Sequence, residues 1–132
     1  MILKTLIPAF IGLLLLSSCD DTITVDDIDK KVIPDSSISF SQHIYPVLQV
    51  KCAFSGCHIG PSPQAGLDLS TWAGTTADPN VVLPGYPELS SMVWTIEGLA
   101  GFPPMPPIGY RPLTVNQING IRIWIKEGAV NN

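Results

Sequence analysis

The sequence predicts a small all-α domain, three to four short helices joined by long Gly- and Pro-rich loops. Three observations carry that expectation. Apolar residues recur at helical spacing in three separate segments. No alternating run long enough for a convincing sheet occurs. Finally, 11 Gly and 13 Pro among 132 residues are too many for a plain bundle with short connections.

The chain opens with a segment that is not expected to belong to the domain. Met1 to Ser18 reads as a cleaved secretory signal: Lys4 is the sole charge before an apolar run from Leu6 to Leu16. Pro8 and Gly12 interrupt that run, which falls short of the roughly 20 residues a spanning helix needs. It ends in Leu16-Ser17-Ser18-Cys19, which resembles a bacterial lipobox. In lipoproteins of that kind the cysteine becomes the mature N-terminus and carries acyl chains. Cys19 is therefore the candidate lipid attachment, placing the chain on the periplasmic or cell-surface side of a membrane. An ordinary signal with an incidental cysteine is the alternative.

Residues 19–37 are expected to form an acidic, extended or disordered tether, and 38–132 the domain. Six aspartates (Asp20, Asp21, Asp26, Asp27, Asp29, Asp35) face only Lys30 and Lys31 in the tether. The net charge of −4 and the pI near 4.8 thus belong to the tether, and the mean hydropathy of +0.31 mostly to the signal. Nothing supplies the basic face a nucleic-acid binder needs.

Within the domain the first helix is expected from Ser41 to Lys51, with Phe40, Ile44, Val47 and Leu48 on one face and Ser39 or Ser41 as N-cap. Pro46 lies too deep for a clean first turn and predicts a kink. The second helix is expected from Pro87 to Glu97, its stripe being Leu89, Met92, Val93 and Ile96. The third runs from Val115 to Glu127: Thr114 and Gln117 make a capping box, Ile118, Ile121, Trp124 and Ile125 the apolar face, and Gly128 the stop. The loops at 60–66, 74–87 and 98–112 are long for so small a domain, whose own core is too small to order them. A large apolar cofactor is expected at the centre.

Residues 52–58 read Cys-Ala-Phe-Ser-Gly-Cys-His. A cysteine pair with histidine directly after the second cysteine is the arrangement for covalent c-type haem attachment. Cys52 and Cys57 would form the haem thioethers, and His58 would lie beneath the iron as proximal ligand. Four residues separate the cysteines where two are usual, and Gly56 supplies the freedom a longer loop needs. A short Cys52–Cys57 disulfide, which an exported protein permits, is one alternative. Another is a zinc site joined by His43 or carboxylates. The candidate sixth ligand is Met105, bracketed by prolines in Phe102-Pro103-Pro104-Met105-Pro106-Pro107, which hold it on a stiff extended backbone. A methionine filling a gap in a Pro-rich turn is the competing reading. His43 is a lesser candidate, and Met92 reads as core. Lys51, Arg111, Arg122 and Lys126 either form a patch near the cofactor edge or simply solvate the surface.

Together these residues resemble the cytochrome c domain family first described from planctomycetes. The resemblance covers nearly all of 40–130. It runs through the 40–47 segment, Cys57-His58, Gly66-Leu67-Asp68-Leu69-Ser70, Pro84-Gly85-x-Pro87-x-x-Ser90, Met105-Pro106-Pro107, Leu113-Thr114 and Ile121-x-x-Trp124-Ile125-x-x-Gly128-Ala129. It implies a small helical cytochrome c-like fold around one covalent haem c, with His58 proximal and Met105 distal. No Ser-His-Asp set and no Gly-rich phosphate loop after a strand occurs in the sequence. An electron carrier meeting redox partner proteins is therefore expected, rather than an enzyme. A redox or gas sensor with a labile sixth ligand, and a haem-free, disulfide-stapled interaction module, are the alternatives.

Overall fold

The capping box at Thr114 does what its spacing dictates. Thr114 Oγ1 accepts from the Gln117 amide, and the Gln117 side chain accepts from the Thr114 amide at 2.9 Å. The longest helix, Val115–Lys126, starts there. Including it, the computed structural model, which describes residues 22–99 and 101–132, contains five short α-helices and no strand among the described residues. They are α1 (Val25–Lys30), α2 (Tyr45–Lys51), α3 (Trp72–Thr75), α4 (Ser91–Ile96) and α5 (Val115–Lys126). The expected signal segment and Cys19 lie outside the described residues.

Pro46 acts as predicted, through its missing amide. In a continuous α-helix Pro46 would donate to the Gln42 carbonyl, and it cannot. The chain instead makes one π-helical turn, Phe40–Ile44, capped by Ser39, before α2 begins with Pro46 in its first turn. Lys31 Nζ donates to the orphaned Gln42 oxygen at 2.7 Å.

The second expected helix is broken. Pro87–Leu89 is a 3₁₀ turn and α4 starts only at Ser91. Between them Ser90 is extended and fully buried, its hydroxyl donating to Tyr86 O (3.0 Å) and accepting from the Leu83 amide (2.9 Å). The break turns Leu89 out to solvent, whereas Met92 and Val93 stay in the core. The short α3, capped by Thr71, was not expected.

The largest departure precedes residue 38. The segment expected to be an extended tether forms α1, with a Thr24–Asp27 capping box and two aspartates in its first turn, where the helix dipole favours them. Ile28, Ile33 and Ile38 are all buried. Asn116 of α5 pairs with both backbone groups of Ile33, accepting from its amide at 2.8 Å and donating to its carbonyl at 2.9 Å. Among the described residues packing therefore begins with α1, and the helices there number five rather than three to four. The Asp-rich composition suggested solvation because it hides what those aspartates pair with.

The core centres on α5. Ile121, Trp124 and Ile125 are fully buried, and Phe40 packs on Trp124 with ring centroids 5.4 Å apart. Ile44, Val47 and Leu48 close one side, and Val82 and Val93 belong to the same apolar cluster. Gly128, at φ +102°, supplies the left-handed residue after α5 that the sequence promised.

Candidate cofactor site

α2 delivers the cysteine loop to the edge of this core. Where the helix ends, the Cys52 amide still bonds to Leu48 O at 2.8 Å. The following residues then fold back: the Cys57 amide donates to Phe54 O (2.9 Å) and the His58 amide to Cys52 O (3.2 Å). Gly56 takes the positive φ that this turn needs, +84°. The four intervening residues are thus absorbed in a compact turn.

Cys52, Cys57 and His58 line one cavity of about 510 Å³, and so does Met105 from the Pro-rich loop. That volume falls within the ~300–1,000 Å³ of ordinary ligand sites. Leu48, Leu67, Leu69, Val81, Ile96 and Ile121 make most of the remaining wall apolar. Both cysteines are free thiols. Burial pushes the Cys52 thiol up to about 12, against the opposing pull of the Lys51 ammonium, while the neighbouring Cys57 adds to the rise.

The imidazole of His58 is oriented by a single contact. Its Nδ1 lies 3.2 Å from Leu67 O. A carbonyl oxygen only accepts, so Nδ1 carries a proton, and in the neutral tautomer this selects, the lone pair is on Nε2. Metal-ligating histidines are commonly held in this way. The backbone is fixed on the same side, since the Leu69 amide donates to His58 O at 2.9 Å.

Met105 is presented from α4. Its amide donates to Thr95 O at 2.9 Å, and nearby Phe102 packs on Trp94 with centroids 4.8 Å apart. Met92, expected as core, is buried and also lines the cavity, so α4 contributes a second thioether to the wall. His43 is not brought to the site. It sits in the π-helical turn, where its Nδ1 accepts from the Ser39 amide at 2.9 Å. Among the described residues no three His, Cys, Asp or Glu side chains gather to hold a bare ion, which removes the geometric basis for the zinc alternative.

Three of the four cations are paired with carboxylates, and the fourth, Lys126, is exposed. Arg122 pairs with Glu97 at 2.8 Å and Arg111 with Asp26 and Asp29. Lys51 is only 4% exposed and lines the cavity. Its three protons are all used, on Asp29 Oδ1 (2.5 Å), Pro112 O (2.8 Å) and Gln117 Oε1 (3.1 Å). Gln117 completes the network by donating to Ile28 O and Asp29 Oδ1 at 3.2 and 3.0 Å. No local pattern marks Lys51 as buried, because its partners come from α1, α5 and the loop before α5. Comparison with known protein families, characterised proteins and solved structures finds no match to this chain.

Proposed function

We propose that the chain is a c-type cytochrome with a cytochrome c-like fold, carrying single electrons through one covalently bound haem. Cys52 and Cys57 are its attachment points, and His58 and Met105 its axial ligands. One observation carries the reading: two distant sequence motifs converge on a single apolar cavity, with the Leu67 carbonyl leaving His58 Nε2 available.

Bound haem supplies a one-electron iron couple. The residues around it define how that couple is used. The two cysteines prevent dissociation. His58 and Met105 would both hold the iron, which would leave no position for a substrate and favour electron transfer over bond chemistry. A thioether ligand raises the reduction potential relative to a second histidine. The apolar wall excludes water and disfavours added charge at the iron. In this reading Cys19 carries the lipid that holds the exported protein to its membrane, and a redox protein is the partner.

Intact mass of the full chain, produced with cytochrome maturation machinery, tests the proposal. The expected mass is the processed, acylated polypeptide plus one haem, and Cys57→Ser leaves at most one thioether and much less holoprotein. An unmodified polypeptide, or one lighter by two hydrogens, overturns the reading.

A further inference from the structure

The loop carrying Met105 has almost nothing to hold it in place by burial. From residue 101 to 112 no side chain is buried; Met105 and Pro106 are half-buried and the rest are exposed, with Ile108 at 95%. The next buried residue is Leu113. The loop's first half is tied to α4 through Thr95 O and Trp94. Its second half ends in polar ties to a different part of the molecule. Arg111 reaches α1, with Nε 2.8 Å from Asp29 Oδ2 and a further contact from Nη1 to Asp26 Oδ1. Pro112 O accepts from Lys51 Nζ, which is itself paired with Asp29. Asp29 thus joins both cations that grip residues 111 and 112.

We propose that Asp26 and Asp29 of α1 are positioning residues for Met105, clamping the far end of its loop through Arg111. The inference rests on the reading of Met105 as an axial ligand. No residue of α1 lines the cavity, and the helix acts by limiting how far the loop opens. Without Arg111 the far end keeps Lys51 on Pro112 O and Tyr110 packed on Phe54, 5.7 Å between centroids, and a thioether on this less firmly held loop would leave the iron more often. The segment nearest the expected membrane anchor would then govern how firmly the sixth ligand is bound.

The test uses the haem-loaded full chain and Arg111→Gln, a substitution at a side chain 55% exposed and outside the core. Carbon monoxide uptake by the reduced protein is expected to rise about fivefold, the upper reach of an exposed ion pair. Amide hydrogen exchange at Met105 and Tyr110 should rise by a similar factor, with exchange along α5 unchanged. Asp26→Asn should give a smaller change in the same direction, and Arg111→Lys should recover part of the wild-type behaviour. A role in stability alone would lower the melting temperature without altering either readout. Unchanged carbon monoxide uptake and unchanged exchange in Arg111→Gln overturn the clamp. If instead Met105→Ala leaves carbon monoxide uptake at the wild-type rate, the ligand assignment fails. Faster exchange at Tyr110 in Arg111→Gln would then show a loop clamp that serves no ligand, and the proposal would fall with the assignment.

Discussion

His58 and Met105 reach the cavity under opposite constraints. His58 is fixed at the ring by Leu67 O and at the backbone by Cys52 O and the Leu69 amide. Met105 is held through its backbone amide, and its side chain extends from a largely exposed loop. Truncating it therefore removes the thioether and spares the contact to Thr95 O. Met105→Ala is expected to leave the covalent haem content unchanged by mass while lowering the reduction potential. Carbon monoxide affinity of the reduced protein should rise by about tenfold or more if the thioether holds the iron at least about 90% of the time. Identical visible spectra for variant and wild type in both oxidation states would remove Met105 from the iron.

At the scale of elements, the seating of the N-terminal segment on α5 turns on Gly120. This residue lies inside the helix, where alanine would ordinarily gain about 0.5–1 kcal/mol over glycine. A Cβ there would fall 2.7 Å from Ile33 Cγ2 and 2.9 Å from its Cδ1, so the Ile33 side chain or the segment carrying it must shift. Overpacking of this kind costs about 1–3 kcal/mol. Gly120→Ala is expected to destabilise by about 1 kcal/mol net in denaturant unfolding, and adding Ile33→Ala should relieve the clash itself. A variant more stable than wild type by the full propensity gain of about 0.5–1 kcal/mol would mean that Ile33 does not rest on α5.

Elements differ in how far the sequence reveals them, and the reason is the range of the forces involved. The start of α5 and the disturbance at Pro46 were legible, because a capping box and a missing amide act within one turn. The break at Ser90 was not, because it depends on a hydroxyl bonded to the Leu83 amide and on burial beneath later residues. α1 was missed for the same reason. Its aspartates resemble a solvated run until Lys51 and Arg111 arrive from elsewhere in the chain. The cysteine–histidine motif could be read directly and the Pro-bracketed methionine nearly so. That Lys51 and Met92 border the same cavity could not, since only the fold turns them toward it.

For the whole molecule, the acidity of the N-terminal region becomes a structural device. Asp29 faces Lys51 from α2, Arg111 from the loop and Gln117 from α5, with Asp26 beside it on α1. Burial alone would raise its carboxyl; hydrogen bonds from Lys51 and Gln117, and the charges of Lys51 and Arg111, outweigh that and hold it below its ordinary 3.8. A carboxylate more acidic in the folded than in the unfolded chain stabilises the fold above its unfolded pKa, and that contribution is lost as pH falls through the folded value. Acid should therefore weaken the attachment of α1: protonated Asp29 leaves Lys51 buried without its counter-charge, and Arg111 loses its grip on the loop. Unfolding measured against pH should show wild type losing stability below about pH 4. Asp29→Asn should be less stable by about 3 kcal/mol at neutral pH, the cost of stranding a buried partner. The two curves should converge in strong acid, where wild type also lacks the charge. Parallel curves across that range would mean that Asp29 carries no linked proton and that the other ties of the N-terminal segment, Gln117 on Ile28 O and Asn116 on Ile33 among them, hold it independently of pH.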